Sequence, residues 1–442
     1  MVLQRKHCMC GFGIIHSYFA AFLISGINIF MYRAYKFKLK PTIEQAQIFV
    51  SWMGAGRWIW NQCLSQNRES YANTKKFIFR YDLSKQLPEL KKIHEWLKEI
   101  PSQALQNRII DFNTALTRIW KQGNGFPKFK SRHIEHHNTL RIDQTNGHID
   151  PCKTQIKIPK IGWVKWNRHR PLTGKLKSIT IKQENGIWFC VCLCDIGDVE
   201  KITQINQLDI VGIDLGLKEF AVTSDGEVIK TPRLYRKKAR KLARLQRQHS
   251  KKQKSSNNRN KAKKKLQNLH YKIACQRHDF THKASSSITK NYKLIGVEDL
   301  NIAGMMRNRS LAKSIQDQGW AQFVSQLEYK TRSNGGTTVK INRWLPSSKT
   351  CSSCGQTRPM PLSIRTYECS SCGMIMDRDH NAAINIRSWA IEETNRCGTH
   401  RIYACGDTSS GDDSYGSSSH VSPKQEKLLV NRPRKPRQLA AR

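Results

Sequence analysis

The chain has 442 residues, with 76 Lys and Arg against 33 Asp and Glu, a formal net charge of +43. An excess of that size calls for a polyanionic partner, nucleic acid before an anionic membrane surface, because left uncompensated it repels itself. Hydrophobic residues at 38%, with 11 Trp, 15 Phe and 12 Tyr, are enough to build cores and exclude a wholly disordered basic tail.

The length suits roughly two or three domains. Of the fourteen Cys, ten are scattered and four fall in two tight pairs, a usage that fits a reducing compartment better than a disulfide framework. At the start, Arg5 and Lys6 precede an apolar run from Cys8 to Met31 that mimics a signal peptide or a single membrane span. No clear cleavage site follows, Tyr18 and Asn28 interrupt the run, and Met31 directly precedes a strand-like segment. Residues 1–30 are therefore read as an apolar extension from an upstream start codon, with a membrane-associating segment and a buried helix as the other readings. No membrane partner is expected.

Apolar and basic residues alternate from Tyr32 to Leu39, which predicts a half-buried strand with Tyr32, Ala34, Phe37 and Leu39 inward. Pro41 ends it. Thr42 and Gln45 then form a capping-box pattern ahead of a helical period through Ile43, Ala46, Phe49, Val50 and Met53. Helical patterning, broken at Gly54 and Gly56, resumes from Trp58 to Ser70, then over Leu83–Ile100 and Gln103–Trp120. Past Gly123 the chain changes to short alternating runs. In the clearest, Leu176–Lys182 and Ile187–Cys194 flank Asn185-Gly186, a dipeptide suited to a type I′ hairpin turn, and Cys190, Cys192 and Cys194 read as small hydrophobes. Residues 31–41 and 123–205 are thus expected to form one split β module interrupted by a helical insert at 42–122.

The second half, 206–390, opens with strands at Ile210–Asp214, Phe220–Thr223 and Val228–Ile229. A basic helical insert follows at 231–292. Between Arg233 and Lys265 there are 16 Lys and Arg and no acid, with Leu234, Leu242 and Leu245 spaced for one helical face. Such a surface repels itself unless a polyanion lies on it, so Arg236, Lys237, Lys238, Arg240, Lys241, Arg244 and Arg247 are the expected nucleic-acid contacts. A strand at Leu294–Glu298, a helix around Gln318–Arg332 and a strand at Thr338–Trp344 complete an order that suits an RNase H-like α/β domain.

Two groups of residues carry chemistry. Cys351-x-x-Cys354 and Cys369-x-x-Cys372, fourteen residues apart and each followed by Gly, predict a zinc ribbon at 346–376. Four thiolates leave no open ligand position, so this Zn²⁺ holds structure. The second group is Asp214, Glu298 and Asp379: two acids that end apolar strands, and one that opens a helical run. Each alone is most simply a cap or a surface ion pair. Together they could hold two Mg²⁺ or Mn²⁺ ions for phosphodiester hydrolysis.

The segments Gly212-Ile213-Asp214-Leu215-Gly216, Gly296-Val297-Glu298-Asp299-Leu300, Lys349-Thr350-Cys351-x-x-Cys354-Gly355 and Asp377-Arg378-Asp379-His380-Asn381-Ala382-Ala383-x-Asn385-Ile386 resemble, in this order, the TnpB family. These are the OrfB proteins of bacterial insertion sequences, related to type V CRISPR effectors. Gly125–Ser131 and Arg277-His278-Asp279-Phe280-x-His282-Lys283 support the match, which spans about 31–390. The resemblance implies a multidomain α+β and α/β protein, with a wedge-like split β-barrel carrying a helical recognition insert and a RuvC domain carrying the zinc ribbon. It implies an RNA-guided DNA endonuclease, long described as a transposase, whose partners are a guide RNA from the transposon end and double-stranded target DNA. No obligate protein partner is inferred. The family's acids map onto Asp214, Glu298 and Asp379, with Asp377 a rival for the last, and its zinc ligands onto the four Cys. A bacterial or archaeal cytoplasmic protein at the nucleoid is expected, with a disordered tail at 391–442. A DDE transposase fits less well, because its last acid is normally Glu. A non-catalytic transposon accessory or regulatory protein that binds DNA or RNA is the alternative.

Overall fold

The computed structural model describes residues 29–396, except 124, 145–147, 200, 201, 203 and 362, together with the backbone of 401–403. The first 28 positions of the apolar extension, and the expected tail at 397–400 and beyond 403, lie outside the described residues; positions 391–396, expected to begin that tail, instead continue the last described helix. Among the described residues no helix is long and apolar enough to cross a membrane.

The first strand, β1 (Ile29–Lys40), buries Met31, Tyr35, Phe37 and Leu39. Tyr32 and Ala34 are exposed, against expectation, because the two-residue period sets them on the outer face with Lys36 and Lys38. Helix α1 (Ile43–Thr74) begins at the Thr42–Gln45 capping box and runs unbroken through both glycines that were expected to interrupt it. Gly56 is a packing notch: a Cβ there would sit 2.9 Å from Nε of Arg108, whose side chain crosses the helix. The helix expected over 83–100 is instead α2 (Arg80–Lys85), α3 (Leu87–Ile93) and a 3₁₀ turn at Glu95–Glu99. Pro88 is the reason, since it fits only the first turn of α3 and cannot continue a helix from upstream. Helix α4 (Ser102–Gln122) ends where Gly123 turns left-handed at φ 63°.

Strands β2 (Thr139–Asp143), β3 (Asp150–Pro151), β4 (Gln155–Ile158), β5 (Gly162–Asn167), β6 (Lys175–Glu184) and β7 (Ile187–Val199) join β1 in an antiparallel seven-stranded sheet of order β2-β6-β7-β1-β5-β4-β3. The chain's first described strand is thus central, held between β7 and β5 across the whole helical block. Asn185 and Gly186 both take positive φ, 49° and 80°, as the type I′ turn between β6 and β7 requires. Cys190, Cys192 and Cys194 are fully buried free thiols in β7.

After a short strand β8 (Gln204–Asn206), which pairs with the 401–403 backbone, come β9 (Ile210–Asp214), β10 (Glu219–Thr223) and β11 (Val228–Lys230). Helices α5 (Leu234–Ser250) and α6 (Asn257–Asn291) form the basic hairpin, closed on Leu242, Leu269 and Ile273. Strand β12 (Leu294–Glu298) follows, then α7 (Ile302–Met305), α8 (Ala312–Gln318), α9 (Trp320–Ser333) and β13 (Thr337–Ile341). The helix expected around 318–332 is α9, and Gly319, at φ 73°, separates it from α8 before it. The second sheet has the order β11-β10-β9-β12-β13, with β12 parallel to both neighbours and β10 antiparallel to both of its own.

The ribbon hairpin β14 (Thr366–Glu368) and β15 (Ile375–Asp377) leads directly into α10 (Arg378–Arg396). Helix α10 lies so close on one face of the second sheet that a Cβ on Gly212 would collide with the Ala383 carbonyl, and one on Gly296 would sit 2.8 Å from Cβ of Ala390. The core on this sheet gathers Phe220, Phe280, Phe323 and Trp320 from β10, α6 and α9.

Candidate active site

Asp214 ends β9 and Glu298 ends β12. These strands are parallel neighbours in register, Ile213 opposite Val297, so the two acids leave the sheet side by side at the same edge. The four residues before each acid are buried, which lets each strand run through the core and emerge with a carboxylate. Asp379, in the first turn of α10, is the third. Burial pushes the Asp214 carboxyl up to about 8, and the negative charges of Glu298, Asp379 and Asp377 push the same way against Arg378. Asp214 and Glu298 thus leave neighbouring strand ends, and the charge of Asp379 reaches Asp214 from the head of α10.

The remaining contacts hold these groups in place. Ser347 donates its hydroxyl to Oε1 of Glu298. Arg378 Nε and Arg365 Nη1 approach the Asp379 carboxylate at 3.4 and 3.5 Å. Asp377, the rival acid, is engaged as a helix cap: its Oδ1 accepts the backbone N–H groups of Asp379 and His380 at 2.9 and 3.1 Å.

The Cys ligands meet a direct test of fit. Cys351, Cys354, Cys369 and Cys372 bring their sulfurs within 4.8 Å of one another, the only such group of potential metal ligands among the described residues. The two Cys knuckles repeat one pattern. Gly355 and Gly373, at φ 76° and 74°, donate to the carbonyls of Cys351 and Cys369 at 3.0 and 2.9 Å. Backbone N–H groups of Cys372 and Ser371 pull the Cys369 thiol down to about 6, while Cys354, its sulfur 3.5 Å away, is raised to about 11, so the thiols crowd one another where a cation would relieve them.

A link between ribbon and active site was missed at the sequence level. Asn381, fully buried, accepts from the Ser352 N–H at 2.9 Å and donates to the Thr350 carbonyl at 2.7 Å. Asn385 donates to the carbonyls of Ser347 and Thr350 at 2.8 and 2.7 Å. The head of α10, the first knuckle and the serine that holds Glu298 are thereby one hydrogen-bonded unit. Two amides on the inward face of an apolar helix were the available signal, since buried polar groups need partners. Ser347 offered none.

Of the basic residues, Arg236, Lys237, Arg240, Lys241, Arg244 and Arg247 are exposed on α5 and Lys238 is half-buried against Gln276. Among the described residues no ion pair joins any of the seven to an acid; Arg236 donates to the Ser314 hydroxyl at 3.0 Å.

An RNase H-like sheet with acids at its parallel strand ends, a helix carrying a third, and a zinc ribbon feeding that helix define the RuvC-like class of α/β folds found in compact CRISPR effectors. The solved structure of a Cas12f1–sgRNA–target DNA complex shares this fold with a TM-score of 0.53 at 16% identity, over 78% of this chain and 83% of that one. Family models match in three stretches: an OrfB "Probable transposase" model at 194–309, a Cas12f1-like TNB domain at 320–386, and an OrfB helix-turn-helix domain at 31–76. In that last stretch the fold has strand β1 and the single helix α1. A Streptomyces pristinaespiralis protein named "Putative RNA-guided DNA endonuclease" is 32% identical, over 85% of this chain and 91% of its own length. Escherichia coli K12 "Putative RNA-guided DNA endonuclease InsQ" is also 32% identical, over 85% and 94%. The chain belongs to the TnpB family, the OrfB proteins of insertion sequences.

Proposed function

We propose that this protein is an RNA-guided DNA endonuclease that cuts target DNA by divalent-metal hydrolysis, as the names of its full-length relatives suggest for them. The observation that carries the reading is that Asp214 and Glu298 leave adjacent parallel strands at one sheet edge, with the Asp214 carboxyl pushed up to about 8 by burial and by the charges of Glu298 and of Asp379 from the head of α10. A carboxyl in that state gains most from a cation. Mg²⁺ or Mn²⁺, favoured by hard oxygen donors, supplies activation of water and stabilisation of the leaving oxygen. Asp214 and Glu298 serve as ligands from rigid strand ends, Ser347 fixes the Glu298 carboxylate, and Arg365 and Arg378 orient Asp379. The Cys₄ zinc stays outside the chemistry. The seven-stranded sheet with its helical insert and the α5–α6 hairpin supply the surfaces for a guide RNA encoded at the transposon end and for double-stranded DNA, consistent with the +43 charge.

The test is copurification followed by cleavage. Protein purified with its own RNA should cut a matching duplex in Mg²⁺, and Asp214→Ala or Glu298→Ala should bind RNA and target normally while cutting falls to background. A wild-type complex that binds its target and never cuts, or an Asp214→Ala protein that cuts at the wild-type rate, would establish the non-catalytic binding protein instead.

A further inference from the structure

The loop between β13 and the ribbon, residues 342–347, is tied to the catalytic strand at both ends. It leaves β13 at Ile341, the register partner of Glu298, and returns at Ser347, whose hydroxyl meets the Glu298 carboxylate. Trp344 lies three residues past Ile341, so its backbone is within about 10 Å of that strand end. The Trp344 N–H is fixed on Oδ1 of Asn342 at 3.1 Å, yet its side chain is 84% exposed, more than any other large hydrophobic described. An indole left in water forgoes most of its apolar burial, and here it borders a groove of about 850 Å³ whose lining also includes Trp389 of α10.

The charge of this groove sets it apart from the rest of the molecule. Its three basic side chains are already paired: Arg343 with Asp299, Arg396 with Glu393, and Lys340 with Glu328 at 2.6 Å. Glu392 adds a further acid to the lining. In a chain of +43 this is a charge-balanced, tryptophan-walled recess, poorly suited to a phosphate and well suited to a flat neutral heterocycle with hydrogen-bonding edges.

We propose that Trp344 is a stacking platform for an unpaired nucleobase of the DNA strand that passes the Asp214–Glu298 cleft, with the groove behind it receiving that base. The inference rests on the nuclease reading for the identity of the strand. Its role is to hold a single-stranded segment against the sheet edge where the acids emerge, which is a binding and positioning role and not a chemical one.

The probe is a twelve-nucleotide oligo-dT carrying one central 2-aminopurine, bound by the full-length zinc-loaded chain in Mg²⁺-free buffer. Wild-type and Asp214→Ala proteins should bind it and quench its fluorescence. Trp344→Ala should lose the quench and weaken binding about tenfold, the scale of one base–aromatic stack, while Trp344→Phe stays within about threefold of wild type. Because the side chain is exposed, unchanged zinc content and circular dichroism in Trp344→Ala should exclude misfolding. Equal affinity and quenching in wild type and Trp344→Ala would overturn the proposal. So would intact DNA binding with a lower oligomeric state by light scattering, which would make the groove a face between protein copies. If these binding differences appear but the wild-type complex cuts nothing in Mg²⁺, the nuclease reading fails and the base platform stands.

Discussion

A carboxyl that keeps its proton up to about pH 8 in the folded chain, against an ordinary value of 3.8, makes folding depend on pH in a direction unusual for an acid. Between those values the native state binds a proton that the unfolded chain has released, so Asp214 lowers stability as pH rises through the interval. Asp214→Asn removes that penalty. In Mg²⁺-free buffer at pH 8 the variant should melt roughly 2–4 °C above wild type, a gap that closes toward pH 4, while Mg²⁺ should raise the wild-type midpoint alone. Calorimetry across pH 4–8 checks it, and a variant that melts below wild type at pH 8 would show that burial and the neighbouring acids place no such penalty on Asp214. The positions of Asp214 and Glu298 were legible because each closes a four-residue apolar run. The preference for Asp379 over Asp377 rests on the family motif, which sets the acid two residues before Asn-Ala-Ala; in the structure Asp377 caps the helix through the N–H groups of Asp379 and His380. Ser347 was invisible, since its hydrogen bond to Glu298 spans 49 residues and no local pattern encodes it.

At the scale of elements, local signals read well wherever the chain's own neighbours decide the outcome. The Thr42–Gln45 cap, the Asn185-Gly186 turn and the leucine face of α5 are of that kind. The glycines of α1 were misread because Gly56 answers to Arg108, half a domain away in sequence. The α5–α6 hairpin has a thin apolar seam and a surface whose seven cations have no acid partner among the described residues, so its stability and its binding are separable. Reversing Lys237, Lys241 and Arg244 to Glu should leave helix content intact, because all three are exposed. RNA or DNA affinity should fall, and the slope of log K against log salt should shrink by about 0.7–0.9 for each phosphate that the hairpin no longer neutralises. Titration of both proteins over a salt series from about 50 to 200 mM measures it, and an unchanged slope would mean that the hairpin is solvated and touches no phosphate.

Across the whole molecule, the strand order in each half lay beyond sequence patterning, because β1 finds its partners more than a hundred residues downstream and β12 joins β9 across the entire basic hairpin. The same long-range wiring couples the zinc ribbon to the acids. Asn381 and Asn385 bind the backbone of 347–352 to the head of α10, and Ser347 carries the connection to Glu298. Loss of zinc should therefore act beyond the ribbon: with the first knuckle released, two buried amides lose their partners, at a cost of about 1–3 kcal/mol each. The first turn of α10, which carries Asp379, then loses its support. Purified protein should contain close to one zinc per chain, and Cys369→Ser should lose both the metal and DNA cleavage although it removes no acid from the cleft. Asn381→Ala separates the two effects, because it leaves all four thiolates in place. It should retain zinc while cutting at least tenfold more slowly with nucleic-acid binding preserved. Full cleavage by a zinc-loaded Asn381→Ala protein would show that the ribbon and the active site are only neighbours.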